Sequence, residues 1–148
     1  MTPAHDSTPE LENAVNLLKE WLIERGWGFE KSWSLFDHVD WTQKRVVINN
    51  RRSLQGQVFG MLHEIGHIIL GDSGEYLVRF SESHEFKHRK ERAHETLRVR
   101  MSVFGEEWEA WSRGESLAKK LNLQIDYLAF RDSRNIDLKS YAEWSVNG

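Results

Sequence analysis

The chain is 148 residues long, enough for about one hydrophobic core, and carries 20 Lys+Arg against 23 Asp+Glu for a formal net charge of −3. That balance argues against a polybasic nucleic-acid or membrane clamp as its main business. Cysteine is absent, which excludes disulfides, iron–sulfur clusters, thiolate zinc sites and a cysteine nucleophile; histidine occurs seven times, so a bound metal would need imidazole and carboxylate ligands.

Residues 1–7 are polar, lack the apolar stretch of a secretory signal and are expected to be flexible. No apolar run is long enough to span a bilayer, so the expectation is a cytoplasmic protein with a single domain over 1–148. Thr8 and Pro9 predict a helix start, and Leu11, Val15, Leu18, Trp21 and Leu22 recur at helical spacing before Gly26 ends the pattern. From Trp27 to Asn50 the texture turns aromatic and β-branched. It predicts three short antiparallel strands around Trp27–Ser32, Leu35–Trp41 and Arg45–Ile48, with Thr42-Gln43-Lys44 as the turn between the last two.

A helix from about Ser53 to Leu70 is apolar around most of its circumference, which predicts a buried helix. Tyr76-Leu77-Val78 reads as a strand and His84 to Val103 as a charged helix. Gly105 reads as an interruption, followed by a further helix from about Glu106 to Leu121. Asp126 and Asp137 are candidate caps for two short terminal helices ending at Trp144. Helices around one small sheet give an α+β domain.

The chemistry is concentrated at His63-Glu64-Ile65-Gly66-His67. On a helix, residues four apart share a face, so His63 and His67 can offer two imidazoles to one ion while Glu64 stands beside them as a general base. A second match, His84-Glu85-Phe86-Lys87-His88, lies in a charged stretch with Lys87 inside it, and there a solvated helix is the better reading. A catalytic zinc takes three protein ligands and keeps one position open. Leu70 and Ser73 stand where an extended metzincin pattern needs glycine and a third ligand, so the next source is the acidic cluster Glu106-Glu107-Trp108-Glu109.

Glu107 shares its face with Ala110, Trp111, Gly114, Ala118 and Leu121, the apolar, small-residue side that would press on another helix. Glu109 falls with Arg113, Ser116 and Lys120 on a solvent side. Glu106 is intermediate, and an acidic first turn complementing the helix dipole accounts for both. Glu107 is therefore the expected third ligand, with Glu106, Glu109, His84, His88 and His94 as rivals. His38 reads as a polar strand position that could line the edge of the site.

These residues resemble the ImmA/IrrE family of zinc metallopeptidases over roughly Trp27 to Leu121. The features shared are the strands ending in Arg45-Val46-Val47-Ile48, the helix bearing Leu62-His63-Glu64-Ile65-Gly66-His67, and a later helix with Glu107-Trp108-Glu109-Ala110. The family motif there is Glu-x-Glu-Ala followed by Asn or Asp, where this chain has Trp111, so any supporting role of that side chain is lost or supplied elsewhere. The tail after Leu121 is similar to endings of phage- or mobile-element-encoded members. The resemblance implies a small zincin-like fold, a Zn2+ cofactor on His63, His67 and Glu107, Glu64 as catalytic base, and cleavage of a protein substrate such as a transcriptional repressor.

On that reading the strand before the helix binds extended substrate along its edge. The alternative is a metal-containing module of the same fold that binds without cutting. A nucleic-acid role for the basic stretch from Lys87 to Arg100 is not expected, given the acidic overall charge and few stacking aromatics.

Overall fold

The computed structural model describes residues 8–88 and 96–148, leaving the expected flexible N-terminus and the rival ligand His94 outside the described residues. The elements in order are α1 (Thr8–Glu24), β1 (Gly28–Ser32), β2 (His38–Asp40), β3 (Arg45–Asn49), α2 (Leu54–Asp72), α3 (Tyr76–Arg79), α4 (Ser81–His88), α5 (Leu97–Lys120) and α6 (Tyr127–Asn147). The architecture is α+β, with six helices and a small mixed sheet among the described residues.

α1 places Leu11, Val15, Leu18 and Leu22 on one buried face, and Gly26 closes it at φ +78°, letting the Trp27 N–H reach the Leu22 carbonyl at 2.9 Å. The sheet departs from the expected antiparallel unit. Its order is β1-β3-β2, with β1 parallel to β3 and β2 antiparallel to it. The reason lies in β3. Val46, Val47 and Ile48 are all fully buried, and a strand apolar on both faces belongs in the middle of a sheet. β2, reading His38-Val39-Asp40, is short and polar enough for an edge.

The segment 33–37 therefore passes over the end of β3, held by Asp37, whose carboxylate accepts from the Asn49 N–H at 2.7 Å and pairs with Arg52. With both edges of β3 occupied, it cannot take a substrate strand, contrary to the sequence expectation. The β2–β3 turn is as expected: Lys44 adopts φ +53° and Asp40 accepts from the Gln43 N–H.

α2 starts at a Ser53 cap, whose hydroxyl accepts from the Gly56 N–H at 3.1 Å, and runs through the centre of the molecule. Val58, Met61, Leu62, Ile65 and Ile68 join the α1 face, Val46 and Ile48 in one core. Three further expectations are corrected. Tyr76-Leu77-Val78 belongs to the short helix α3 and not to a strand. Gly105 does not interrupt α5; it lies within the helix where the Phe80 ring packs, at 3.1 Å from a notional Cβ. Asp126 does cap α6, but Asp137 lies in its interior, so the two expected terminal helices are one.

α2 and α5 cross with almost no side chain between them. A Cβ on Gly66 would strike the Ala110 carbonyl, and one on Gly114 would strike the Leu62 carbonyl. Two glycines, one from each helix, bring the backbones together. This close approach carries the α5 face of Glu107, Ala110 and Gly114 onto the α2 face of His63 and His67.

Candidate metal centre

Near the middle of α2, His63 and His67 stand one turn apart, and Glu107 meets them from α5. Glu107 Oε1 lies 2.9 Å from His63 Nε2 and 3.3 Å from His67 Nε2, while its Oε2 lies 3.0 Å from His67 Nε2. Ligand atoms of the three residues all fall within 4.8 Å of one another, the sole such group of three among the described residues. Two donors bonded at about 2.1 Å to one tetrahedral ion stand roughly 3.4 Å apart, so the distances from Glu107 to the two histidines suit a small ion. Two imidazoles and a carboxylate are also a donor set suited to zinc. The residues present fit such an ion.

Glu64 points along the same helix into the cleft and is 7% exposed. The cleft has a volume of about 1150 Å³. Its walls include His38 and Val39 of β2, the Asp37–Arg52 pair, Tyr76 and Leu77 of α3, and Ile136 and Tyr141 of α6. Gly60 allows the Asp37–Arg52 pair to lie against α2, since a Cβ there would meet both side chains. Phe36 at 86% exposed, Ile136 at 74% and Leu77 at 59% give the rim an apolar character.

Electrostatics tie the three residues together. Burial pushes the His63 pKa down, but the hydrogen bond to Glu107 and the charges of Glu64, Glu107 and Asp137 outweigh it, leaving His63 above the ordinary imidazole value. Burial would raise Glu107, yet the His67 charge, hydrogen bonds from both histidines and the Lys87 charge hold it well below the usual carboxylate range. Tyr141 is displaced upward by burial and by the nearby Glu107 charge, so it stays a neutral phenol facing the cleft.

Trp111, the departure from the family motif, does have a role. Its ring stacks on His63 with centroids 4.3 Å apart and planes within 10°, and its Nε1–H donates to Asp137 at 2.8 Å. The indole fixes the imidazole plane by contact where a smaller polar side chain would use a hydrogen bond.

The remaining sequence candidates separate cleanly. Glu109 is on the outer side, paired with Arg79 at 3.1 Å and Arg113 at 3.6 Å. Glu106 does not complement a helix N-terminus, because α5 starts nine residues earlier, at Leu97. It is 2% exposed and accepts from Tyr76 Oη at 2.6 Å, Ser83 Oγ at 3.4 Å and Lys87 Nζ. His38, His84 and His88 line the cleft without joining the cluster; the Nδ1 atoms of His38 and His88 lie at hydrogen-bond distance from the carbonyls of Phe36 and His84.

Lys87 is the residue that the sequence reading misplaced. Instead of extending into solvent it reaches the site, donating to Glu106 and, at 3.0 Å, to Glu107 Oε2. A signal was present: Phe80, Ser83 and Lys87 are spaced at i, i+3 and i+7, and the first two are buried.

Among known families, the model described as IrrE N-terminal-like domain (Peptidase_M78) matches residues 28–104, which takes in the sheet, α2, α3, α4 and the first two turns of α5 and stops just short of Glu106 and Glu107. No curated protein and no solved structure gives a match.

Proposed function

Because the chain belongs to the IrrE N-terminal-like domain family, whose fold is metallopeptidase-like, we propose that it is a zinc-dependent endopeptidase acting on a protein substrate. The observation that carries this reading is the arrival of Glu107 from a separate helix against His63 and His67, with buried Glu64 one residue away on the cleft side. The family match reaches neither Glu106 nor Glu107, so the carboxylate contact supports the reading independently of it.

In this mechanism His63, His67 and Glu107 hold the ion, in the His-His-Glu manner of gluzincins. The chemistry zinc supplies is Lewis acidity, enough to bring the pKa of a water to about 7. Glu64 accepts the proton of the attacking water and returns it to the leaving amine. Trp111 keeps the His63 ring in plane while Asp137 fixes the indole. Tyr141 faces the same space as a neutral hydrogen-bond donor.

An extended substrate pairs with the edge strand β2, whose His38 and Val39 line the cleft, in place of β3. The apolar rim of Phe36, Leu77 and Ile136 accepts large aliphatic or aromatic side chains. A transcriptional repressor is one protein substrate that fits this chemistry. No described helix is long and apolar enough to cross a membrane.

The test is metal analysis of the wild type beside Glu107→Ala and Glu109→Ala, with cleavage of a peptide library measured for wild type and Glu64→Gln. About one zinc per chain is expected in all but Glu107→Ala, with cleavage lost in Glu64→Gln. Zinc retained in Glu107→Ala, or undiminished cleavage by Glu64→Gln, overturns the assignment. A metal-replete wild type that cuts nothing in the library, yet keeps its biological effect as Glu64→Gln, identifies a binding module.

A further inference from the structure

Behind the three candidate ligands lies a second layer of charge. Lys87, carried on α4, reaches between two carboxylates of α5, donating to Glu107 Oε2 at 3.0 Å and to Glu106 Oε2. Both carboxylates are 3% exposed at the side chain, so solvent screens their charges weakly, while Lys87, 31% exposed at the side chain, reaches them from the solvent side. The two oxygens of Glu107 are thereby divided. Oε1 faces both imidazoles, and Oε2 is shared between His67 and the ammonium.

Glu106 is the anchor of this arrangement. Tyr76 Oη and Ser83 Oγ donate to its Oε1, leaving Oε2 for Lys87, and that same Oε2 lies 3.5 Å from His67 Nδ1 on the far side of the ring from Glu107. α4 is itself tied to α5 next to this point, the Ser83 N–H donating to Ser102 Oγ at 3.1 Å. The ammonium is thus placed by the fold rather than drawn in by chance from a mobile surface.

We propose that Lys87 and Glu106 are an opposed pair of positioning residues that sets the metal affinity of the site: Lys87 competes with the ion for Glu107, and Glu106 restrains Lys87 while supporting His67. The inference rests on the proposed reading of His63, His67 and Glu107 as ligands. Its physical basis is the sign of the charges. An ammonium and a dication that share one carboxylate repel each other, and at this burial the repulsion outweighs the orienting hydrogen bond that Lys87 gives to Oε2. A carboxylate on the outer nitrogen of a ligating histidine works the other way, orienting the ring and fixing the tautomer that leaves the inner nitrogen free to bind.

The pair differs from an ordinary structural ion pair in one measurable respect. If Lys87 and Glu106 only held α4 to α5, removing either would loosen the site and weaken metal binding. On the present proposal the two removals act in opposite directions. Zinc dissociation constants are measured by competition with a chromophoric chelator for wild type, Lys87→Met, Glu106→Gln and the double variant, each first checked by far-UV circular dichroism. Met keeps the length of the Lys stem and Gln the shape of Glu, and Lys87→Gln replaces Lys87→Met should the latter lose its fold.

Lys87→Met is expected to bind zinc about tenfold more tightly and Glu106→Gln about tenfold more weakly, with the double variant within about threefold of wild type, in keeping with the usual size of outer-layer effects on metal sites. Equal affinities, or weaker binding in both single variants, overturn the proposal while leaving the ligand assignment standing. A wild type that takes up no zinc overturns the assignment itself and the pair with it.

Discussion

At the scale of single residues, the centre is a balance of charges in a nearly dry place. In metal-free protein, His63 is held above its ordinary pKa, so its contribution to stability is complete below about pH 6.5 and is lost as the pH rises through the raised value. Glu107 is held well below its ordinary value, so its contribution is complete above about pH 4.5 and is lost as the pH falls through the lowered value. Chelator-treated protein should therefore have its highest urea midpoint at about pH 5–6 and a lower one at pH 8. A midpoint rising steadily to pH 8 would contradict this balance.

Trp111 offers a separate test at the same scale. Trp111→Phe keeps a ring against His63 and loses the bond to Asp137, whereas Trp111→Ala removes both and opens a cavity. Stability losses of about 1 kcal/mol and about 3–5 kcal/mol are expected from chemical denaturation. His63, His67 and Glu107 could be read as a set because helical spacing reports which side chains share a face. Lys87 and Glu106 could not, because what joins them is the placement of α4 on α5, a tertiary fact. The role of Trp111 was hidden for a related reason: a family motif records that a polar residue is missing but not that an aromatic ring can orient the same histidine.

Between elements, the decisive contact is the crossing of α2 and α5, where backbone touches backbone at Gly66 and Gly114. Gly66→Ala or Gly114→Ala must push the helices apart against a packed core, at a cost of about 1–3 kcal/mol or more. Because Glu107 rides on α5, either change should also weaken zinc binding at least tenfold, read by the same chelator competition. An alanine variant with unchanged affinity would show that the carboxylate is placed by something other than this crossing. The small residues of α5 were legible as a packing face, since Ala110, Gly114 and Ala118 repeat on the side of Glu107.

The parallel pairing of β1 with β3 was less visible. Local alternation shows that strands exist, but their order is decided by which is apolar on both faces, and only Val46-Val47-Ile48 meets that condition. The continuity of α5 through Gly105 is another tertiary override: Phe80 occupies the space that the glycine leaves, and one glycine costs a helix only about 1 kcal/mol.

For the molecule as a whole, an ion held as proposed by residues from α2 and α5 would join two of the elements that build the core. At a free zinc concentration about 100 times the dissociation constant, binding to the folded state alone adds about 2.7 kcal/mol. For a chain of this length that corresponds to a rise in Tm of roughly 5–10 °C over chelator-treated protein, measurable by calorimetry. The same addition to Glu107→Ala should leave Tm unchanged.

The three-residue length of β2 also limits how the protein handles other chains. So brief an edge offers few main-chain groups for another chain to pair with on the cleft side of the sheet. On the proposed reading, the same brevity makes main-chain pairing a weak grip. A folded partner gains too little there to offset unravelling, so the enzyme would act on segments that are already unravelled and leave well-packed neighbours intact. Selectivity would then come from the conformational state of the target as much as from the residues flanking the cut.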